Sequence, residues 1–371
     1  MIAKKNFTKE WIQDRARTIK KGKKQACPEL IEKVINALYL LENLVNSKLK
    51  FIFKGGTSLL LLLNKTHRFS IDIDIIIEKQ MNSNELKILF NKIIKNSMIF
   101  YKYEEIKRNN FKNIPKAHYK FYYKSALDGT EKYVLLDILF QENPYIELVE
   151  KNIDCTFLEV EEESNAVIMP SIDCILGDKL TAFAPNTTGI LYENNKELEI
   201  IKQLFDISNL FDEINNLKVV RETFINVSKR EIEYRKLKDM TFDNVLDDII
   251  ATSIVIAFRG SIQKEKYKQL EEGIKRIKSY IFSRNYIVED AVLSAGKSAY
   301  VSLLLKNPNL NLEYYDPKID INKLSISNQQ FHRSFKSIKK FSPEGFYYWY
   351  KALELYERIM SQEVATTMEI K

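Results

Sequence analysis

The sequence predicts an α+β protein in which strands are concentrated between residues 51 and 140, with helices before and after them. Apolar residues recur at helical spacing early in the chain and again over most of residues 218–371. Between these regions, short apolar runs show the period of two that is typical of strands. Only ten glycines and eight prolines occur in 371 residues, which argues against a loop-rich all-β protein.

The composition is that of an ordinary soluble globular protein, with 45% apolar and 29% charged residues. The length gives room for two domains and a sizeable core. A net charge of +7 permits a polyanionic partner without requiring one. No apolar run approaches the roughly 18–20 residues of a membrane-spanning helix, and the first residues lack the apolar segment of a signal peptide. We therefore expect a cytoplasmic protein.

Cysteine and histidine residues provide no metal or disulfide pattern. The three cysteines have no CxxC spacing, and their odd number does not suggest a disulfide framework. The three histidines are scattered, and we expect each to be a surface or packing residue. The histidines are His67, His118 and His332.

The first 49 residues predict helices. Thr8 is a suitable N-cap for a helix that begins at the next residue. From Pro28 to Val45 the apolar residues fall on one helical face, which predicts an amphipathic helix.

The stretch at residues 51–78 carries the most informative pattern. An apolar approach ends in the pair Gly55-Gly56, which is followed by two hydroxyl residues, Thr57 and Ser58. Because glycine has no Cβ, a backbone can approach a phosphate closely at such a pair. A helix that begins at Thr57 or Ser58 would direct its N–H groups and positive dipole end at that phosphate.

A short buried helix, Leu59–Leu63, and a polar turn lead from this pair to the strand-like run Ile71–Ile77. Alternation in a strand places Asp72 and Asp74 on one face and the isoleucines between them on the other. Two neighbouring carboxylates repel each other unless a positive charge neutralises them. Mg²⁺ is the simplest candidate, because it is held by one or two carboxylates together with substrate phosphates.

Each piece of this pattern also has an ordinary explanation. An Asp-x-Asp sequence alone is usually the edge of a surface strand, and a lone Gly-Gly is usually a turn. The combination is much rarer: Gly-Gly-Thr-Ser, a short apolar helix, Arg68-Phe-Ser70, and then Asp-x-Asp within an isoleucine-rich strand.

The combined pattern is similar to the first motif of the nucleotidyltransferase superfamily that includes DNA polymerase β. Its Arg-Phe-Ser-x-Asp-x-Asp form most resembles the AbiEii/AbiGii-type toxins of abortive-infection and toxin–antitoxin systems. The resemblance implies a small mixed sheet flanked by helices, followed by a mostly α-helical C-terminal domain. It also implies that the paired aspartates bind Mg²⁺ and that the glycine turn holds a nucleoside triphosphate. The matching positions are Gly55, Gly56, Thr57, Arg68, Ser70, Asp72 and Asp74, and Ser58 beside them is a further candidate for nucleotide binding.

After this motif the pattern predicts a helix at residues 84–96 and strands at residues 98–103, 118–123 and 133–140. The turn at residues 127–130, with Asp-Gly at its centre, indicates a hairpin between the last two strands. Asp137 is a lone charge within the apolar run VLLDILF, and a buried carboxylate needs a partner. The resemblance implies that Asp137 is the third carboxylate of the metal site.

Two later segments are similar to further motifs of the family. Ser171 and Pro185 bound a predicted helix that contains Lys179 in a Lys-Leu-x-Ala sequence, where the family has a lysine that contacts the triphosphate. The alternative is an ordinary solvated lysine. Lys202 and Asp206, within a predicted helix at residues 196–213, match the ends of the family's Arg-x-Lys-Asp-x-x-Asp motif, although its arginine and first aspartate are replaced. They could equally be an exposed i,i+4 ion pair.

We expect a nucleotidyltransferase domain at residues 1–165 and a helical C-terminal domain at residues 166–371 that contributes Lys179 and the 196–213 helix to the site. Further helices are expected at residues 243–258, 264–282, 287–305 and 343–361. Basic residues are dense between residues 229 and 278, where acidic residues are mixed among them. This region could hold RNA, or it could be a solvated helix surface.

The hypothesis from the sequence is Mg²⁺-dependent transfer of a nucleoside monophosphate from a nucleoside triphosphate to an acceptor. The resemblance implies an RNA acceptor, notably the tRNA 3′ end, and a possible cognate antitoxin. Transfer to a protein hydroxyl and nucleotide binding without turnover are alternatives. The presence of all three carboxylates argues against a silent binder, and the incomplete third motif argues for one.

Overall fold

The computed structural model of the chain describes residues 1–21, 24–106, 115–161 and 165–369. The chain folds as two compact units: the first comprises Met1–Ser171 and Ser279–Asn285, and the second Ile172–Lys278 and Tyr286–Lys371. The first unit contains helices α1 (Lys9–Thr18), α2 (Pro28–Asn46), α3 (Gly55–Leu62) and α4 (Ser83–Asn96). Its strands are β1 (Lys20–Lys21), β2 (Lys24–Gln25), β3 (Ile52–Lys54), β4 (Ile73–Ile77), β5 (Lys102–Glu105), β6 (Lys116–Lys124), β7 (Glu131–Phe140), β8 (Leu148–Asn152) and β9 (Ala166–Pro170).

The described part of the second unit is built from helices. They are α5 (Ile172–Ala182), α6 (Glu197–Phe211), α7 (Leu217–Arg235), α8 (Phe242–Ala257), α9 (Lys264–Ile277), α10 (Val288–Lys306), α11 (Gln329–Phe335), α12 (Ile338–Phe341) and α13 (Pro343–Glu369). The helix α10 is buried along most of its length, and its Val292 carbonyl accepts a 2.9 Å hydrogen bond from the Trp349 indole of α13. The expected mostly helical C-terminal region is therefore confirmed.

A five-stranded mixed sheet forms the centre of the first unit, in the order β3-β4-β7-β6-β5. Strand β4 runs parallel to β7, and the other neighbours are antiparallel. A parallel pair requires a long crossover connection, which here contains α4, β5 and β6. The predicted α+β class and its small mixed sheet are confirmed.

One face of this sheet is covered by helices. Phe121 of β6 and Leu136 of β7 are fully buried on that face. Phe90 of α4 packs edge-on against Phe121, with ring centroids 5.2 Å apart, and Tyr39 of α2 stacks on Phe100 at 5.9 Å. Side chains on the alternate positions of β6 and β7 point to the other face, which remains at least partly exposed.

The predicted hairpin is present as β6 and β7. Its turn uses Gly129 with a φ of 72°, a conformation that glycine adopts without steric cost. The preceding strand is shorter than expected and begins at Lys102 rather than Met98. The reason is local, because the N–H groups of Met98 and Phe100 donate to the Tyr39 and Ser97 hydroxyls instead of a strand partner.

Two further boundaries differ from the prediction. Helix α3 begins at Gly55 rather than at Thr57 or Ser58, because Gly55 takes a φ of 78° and turns β3 directly into the helix. Strand β4 begins at Ile73, so Asp72 lies just before it. The Asp72 carbonyl accepts a 2.5 Å hydrogen bond from the Thr57 hydroxyl, which takes the place of a ladder bond.

A short segment from late in the chain completes the first unit. The Phe69 N–H donates to the Tyr280 carbonyl at 2.9 Å, and the Phe282 N–H donates to the His67 carbonyl at 3.2 Å. The Phe69 and Phe282 rings pack with centroids 4.7 Å apart. This contact explains why α9 ends at Ile277, earlier than the predicted residue 282. Among the described residues, no helix combines the length and apolar character needed to cross a membrane.

We predict that Glu32 anchors the β6–β7 hairpin to α2. Its buried carboxylate accepts hydrogen bonds from the Ser125 hydroxyl at 2.8 Å and the Ala126 N–H at 2.6 Å, and it lies 3.6 Å from the Lys132 ammonium. Glu32→Leu leaves these buried donors without their acceptor, so it should lower the free energy of unfolding by about 3 kcal/mol. Urea denaturation measures this change.

The matched control is Glu29→Leu, which removes the same side chain from an exposed position of the same helix. It should change the stability by less than about 0.5 kcal/mol. Equal losses in the two variants would contradict the anchoring role.

Candidate active site

Four ionisable residues form a row across the sheet. Lys54 of β3 is the register partner of Asp74 of β4. Asp74 is the partner of Asp137 of β7, and Asp137 is the partner of His118 of β6. Directly opposed residues share one face, and neighbouring strands lie about 4.8 Å apart. The fold therefore places two of the predicted carboxylates side by side, although 63 positions of sequence separate them.

Gly55 leaves room for the Asp74 carboxylate. A Cβ at this position would lie 2.1 Å from Oδ2 of Asp74, far inside van der Waals contact. Asp74 itself is only partly exposed, whereas Asp72, two residues earlier, is exposed. The glycine thus keeps one carboxylate oxygen close to the start of α3, where the first N–H groups of a helix have no intrahelical acceptor.

A hydrogen-bond network holds the turn between α3 and β4. The buried Thr57 hydroxyl lies 3.0 Å from the Ser70 hydroxyl and donates to the Asp72 carbonyl. The Ser58 hydroxyl donates to the Gly55 carbonyl at 2.7 Å. These contacts hold the residues of the first motif together. In this structure the hydroxyls of Thr57 and Ser58 both form hydrogen bonds within the protein.

Arg68 is also part of this piece. It is 7% exposed, and its Nη1 donates to the Phe69 carbonyl at 2.9 Å. A Cβ at Gly56 would lie 2.8 Å from Nη2 of Arg68 and 2.7 Å from the Ser70 hydroxyl oxygen. The second glycine therefore permits the guanidinium and the Ser70 side chain to pack directly against the helix start.

His118 is a site residue that sequence reasoning missed. Its Nδ1 lies 2.6 Å from Oδ1 of Asp137, and the two side chains are 14% and 29% exposed. The sequence alone predicts that His118 is a surface or packing residue, because no other histidine or cysteine stands near it. The predicted hairpin could have identified this contact, because a turn centred on residues 127–128 makes position 118 the cross-strand partner of position 137.

These residues fit a cation that is held jointly by protein and substrate. Within the described ranges, no three His, Cys, Asp or Glu side chains already converge as a closed metal cage. Mg²⁺ typically takes one or two carboxylates and completes its shell with water and substrate phosphates. The pair of carboxylates Asp74 and Asp137, which lie side by side on neighbouring strands, is an arrangement of that kind.

The remaining predicted residues lie in the second unit. Lys179 of α5 and Asp206 of α6 are both buried, and the ammonium lies 2.9 Å from Oδ2 of the carboxylate. Lys202 lies 3.7 Å from Glu199, one turn earlier on α6. Lys179 is therefore not the solvated lysine of the alternative reading, since a buried charge with a buried partner is an organised feature of the fold.

The sequence from residue 39 to residue 279 matches the family described as nucleotidyl transferase AbiEii toxin of type IV toxin–antitoxin systems. This match covers about two thirds of the chain and includes every predicted site residue. The chain belongs to the AbiEii family. It is accordingly a nucleotidyltransferase, and the predicted family relationship is confirmed. As an AbiEii protein it is a toxin whose family implies a nucleotide substrate and a cognate antitoxin.

Similar solved structures include JHP933 from Helicobacter pylori, with 16% identity and a TM-score of 0.44 over 76% of this chain and 96% of that chain. Another is an antigenic nucleotidyltransferase-like protein from Paracoccidioides brasiliensis, with 13% identity and a TM-score of 0.34 over 55% of this chain and 91% of that chain. No curated protein gives a significant sequence match.

We predict that Gly55→Ala lowers activity, whereas Gly129→Ala, which causes similar backbone strain, does not. Gly55 and Gly129 have similar φ angles, 78° and 72°, but a Cβ at Gly129 meets nothing within 4 Å. Both substitutions should cost about 1–2 kcal/mol of stability for the left-handed backbone. Only Gly55→Ala should displace the Asp74 carboxylate, and a misplacement of about 1 Å can lower a rate by about 100-fold.

The measurements are urea denaturation and the rate of nucleotidyl transfer for both variants. Gly129→Ala should retain wild-type transfer despite its loss of stability. A Gly55→Ala protein with undiminished transfer would show that the close approach to Asp74 has no catalytic importance.

Proposed function

We propose that the protein transfers a nucleoside monophosphate from a nucleoside triphosphate to RNA, in a Mg²⁺-dependent reaction at the row of carboxylates. The observation that carries this proposal is the pairing of Asp74 with Asp137 on one sheet face, where both are partly exposed, with Asp72 two residues before Asp74. In a nucleotidyltransferase family member, these carboxylates are the groups suited to the metal site.

The reaction is an in-line displacement at the α-phosphorus of the nucleotide. The oxygen of the acceptor hydroxyl forms the new P–O bond, the bond between the α-phosphorus and its bridging oxygen breaks, and pyrophosphate leaves with that electron pair. The hydroxyl proton passes to a base. Asp137, the register partner of Asp74, is either this base or a ligand of the metal. Mg²⁺ held by Asp72 and Asp74, with Asp137 as a further ligand where it is not the base, would supply the positive charge that stabilises the phosphate oxygens during this displacement.

The glycine turn is suited to the triphosphate. Gly55 and Gly56 begin α3, and the positive end of the helix dipole favours a phosphate at this terminus. The space beside the two glycines is taken by the side chains of Asp74, Ser70 and Arg68, so a phosphate would meet the terminus together with these groups. Thr57 and Ser70 hold the turn, and the Arg68 guanidinium beside Gly56 supplies positive charge at the same end of the helix. The resemblance to the family assigns a triphosphate contact to Lys179. It also assigns nucleotide contacts to Lys202 and Asp206, although the arginine and the first aspartate of their motif are replaced.

An RNA acceptor is supported by the chemistry and charge of the chain. RNA offers a terminal hydroxyl as nucleophile, and its phosphates favour a protein with a net charge of +7. The resemblance of the first motif to AbiEii/AbiGii-type toxins implies that the acceptor is the tRNA 3′ end.

We predict that Asp72→Asn, Asp74→Asn and Asp137→Asn each lower transfer by at least about 100-fold, because each removes a charge from the metal site. Purified protein, Mg²⁺ and each of the four α-³²P-labelled nucleoside triphosphates are incubated with total cellular RNA, and label is followed on RNA and on protein bands. Asp128→Asn, at the exposed tip of the same hairpin, is the control and should retain activity.

Label on small RNA that requires the three aspartates is the expected result and identifies the nucleotide. Label on protein bands instead would replace RNA with a protein hydroxyl as the acceptor. Unchanged turnover by the aspartate variants would reject this site.

A further inference from the structure

The partly exposed face that carries the carboxylates continues into a strip of lysines and tyrosines. The same alternate positions of β6 and β7 that hold His118 and Asp137 also hold these residues, and β5 extends the face at the sheet edge. We call this surface the lysine–tyrosine strip. Its members are Tyr101, Lys102, Lys120, Tyr122, Lys124 and Tyr133.

Each tyrosine of the strip has a lysine at its ring. The Lys102 ammonium lies 4.1 Å from the ring centroid of Tyr122, and the Lys120 ammonium lies 4.3 Å from that of Tyr133. The Lys124 ammonium lies 6.0 Å from the Tyr101 ring, and the Tyr122 and Tyr133 centroids are 5.9 Å apart. Aromatic faces and positive charges therefore alternate over a continuous surface.

The acidic residues of this surface are already engaged. The hydroxyls of Tyr101 and Tyr122 donate to Glu131 and Glu104, and Lys102 lies within 3.6 Å of both carboxylates. These hydrogen bonds raise the pKa of both phenols to about 12, so the rings stay uncharged at neutral pH. Lys120 and Lys124 are the register partners of Glu104 and Glu131. The three lysines of the strip therefore exceed these two carboxylates by one positive charge.

The strip lies at a suitable distance from the proposed reaction centre. Tyr133 precedes Asp137 by four residues on β7, which corresponds to about 13 Å along the strand. A nucleic-acid strand advances about 3.4 Å per nucleotide when stacked. A few unpaired nucleotides therefore span the distance from Tyr133 to the carboxylates.

We propose that the lysine–tyrosine strip binds the single-stranded end of the RNA acceptor and leads it to the carboxylates. This inference rests on the proposed function and specifies the surface along which the RNA acceptor reaches the carboxylates. Bases stack on the tyrosine rings while the lysines neutralise phosphates, the combination by which proteins hold single strands without sequence preference. A protein partner would be expected to meet an apolar, charge-depleted centre, whereas a lysine accompanies every ring of this strip.

Fluorescence anisotropy tests the strip without requiring turnover. It measures the binding of a short fluorescent single-stranded RNA to the full chain at several salt concentrations. We predict that Lys120→Ala/Lys124→Ala weakens binding and reduces the slope of log affinity against log salt by about 1.4, because two phosphate contacts are lost. The control is Lys87→Ala/Lys92→Ala, which removes the same charge from exposed positions of α4 on the opposite side of the sheet. Tyr133→Leu should weaken binding by about 5-fold or more, and Tyr133→Phe should not, because it keeps the stacking ring.

In the transfer assay the strip variants should raise KM for RNA and leave KM for the nucleotide unchanged. Equal effects of the two lysine pairs, or equal effects of Tyr133→Leu and Tyr133→Phe, would overturn the strip. These outcomes would reject the role of the strip in RNA binding, but they would not contradict the proposed transfer reaction. Label on protein in the transfer assay, together with absence of RNA binding by the wild-type chain, would overturn both the RNA acceptor and the strip.

An independent contact points to His118 as a positioning residue for Asp137. A carboxylate can only accept hydrogen bonds, so in the 2.6 Å contact Nδ1 of His118 is the donor and Oδ1 of Asp137 the acceptor. The two residues are also register partners, so the backbone fixes the distance between them. This bond restrains the rotation of the Asp137 carboxylate and leaves its second oxygen for the metal or the acceptor hydroxyl. Partners of this kind orient metal ligands in other proteins.

Two isosteric variants separate this role from simple packing. Asn places an amide N–H near the position of Nδ1, whereas Gln places it near the position of Nε2. We predict that His118→Gln lowers Mn²⁺ affinity and kcat by about 10- to 100-fold, with KM for the RNA unchanged. His118→Asn should restore most of both quantities.

Mn²⁺ binding by calorimetry reads out the positioning without turnover, and thermal unfolding shows whether each variant folds. Equal losses for Asn and Gln, or no loss for either, would reject the positioning role. Failure of the proposed metal site is recognised separately, because Asp137→Asn would then leave Mn²⁺ binding intact.

Discussion

The parallel pairing of β4 with β7 is the constraint on which the candidate site depends. Its register places Asp74 beside Asp137, and the antiparallel partners of these strands add Lys54 and His118 to the same row. A shift of one residue in this pairing would turn the Asp137 carboxylate to the buried face. The register is held because Leu136 and Ile138 must lie on the covered side of β7, so burial of apolar side chains determines where the carboxylates point.

The surrounding structure keeps these charges accessible at low steric cost. Gly55 omits the Cβ that would overlap Asp74, and Thr57 holds the carbonyl of Asp72. Glu32 ties the hairpin that bears Asp137 to α2 through buried hydrogen bonds. The helices that cover one face of the sheet therefore stabilise the fold, and the partly exposed other face carries the candidate site.

One partly exposed sheet face combines two kinds of surface. At one end lie carboxylates suited to a cation and phosphates, and further along β6 and β7 lie lysines and tyrosines suited to a polyanion with flat bases. Strand alternation accounts for this continuity, because residues two apart on neighbouring strands line the same surface. The reaction that we propose needs both surfaces, since its nucleotide and its acceptor are each polyanionic.

Local sequence determined the elements and the first motif of this protein. The helical spacing of residues 28–45, the Asp-Gly turn of the hairpin and the compact GGTS…RFSIDID pattern all depend on neighbouring residues, so they could be read without a structure. Tertiary structure alone decided the bond between His118 and Asp137, the burial of Lys179 with Asp206, and the placement of residues 279–285 with the first unit. It also decided that β4 begins after Asp72, because a hydroxyl on α3 binds the carbonyl there. The physical reason is that strand register and burial arise from contacts between residues far apart in the chain, and periodicity within one segment does not specify which distant segment it will meet.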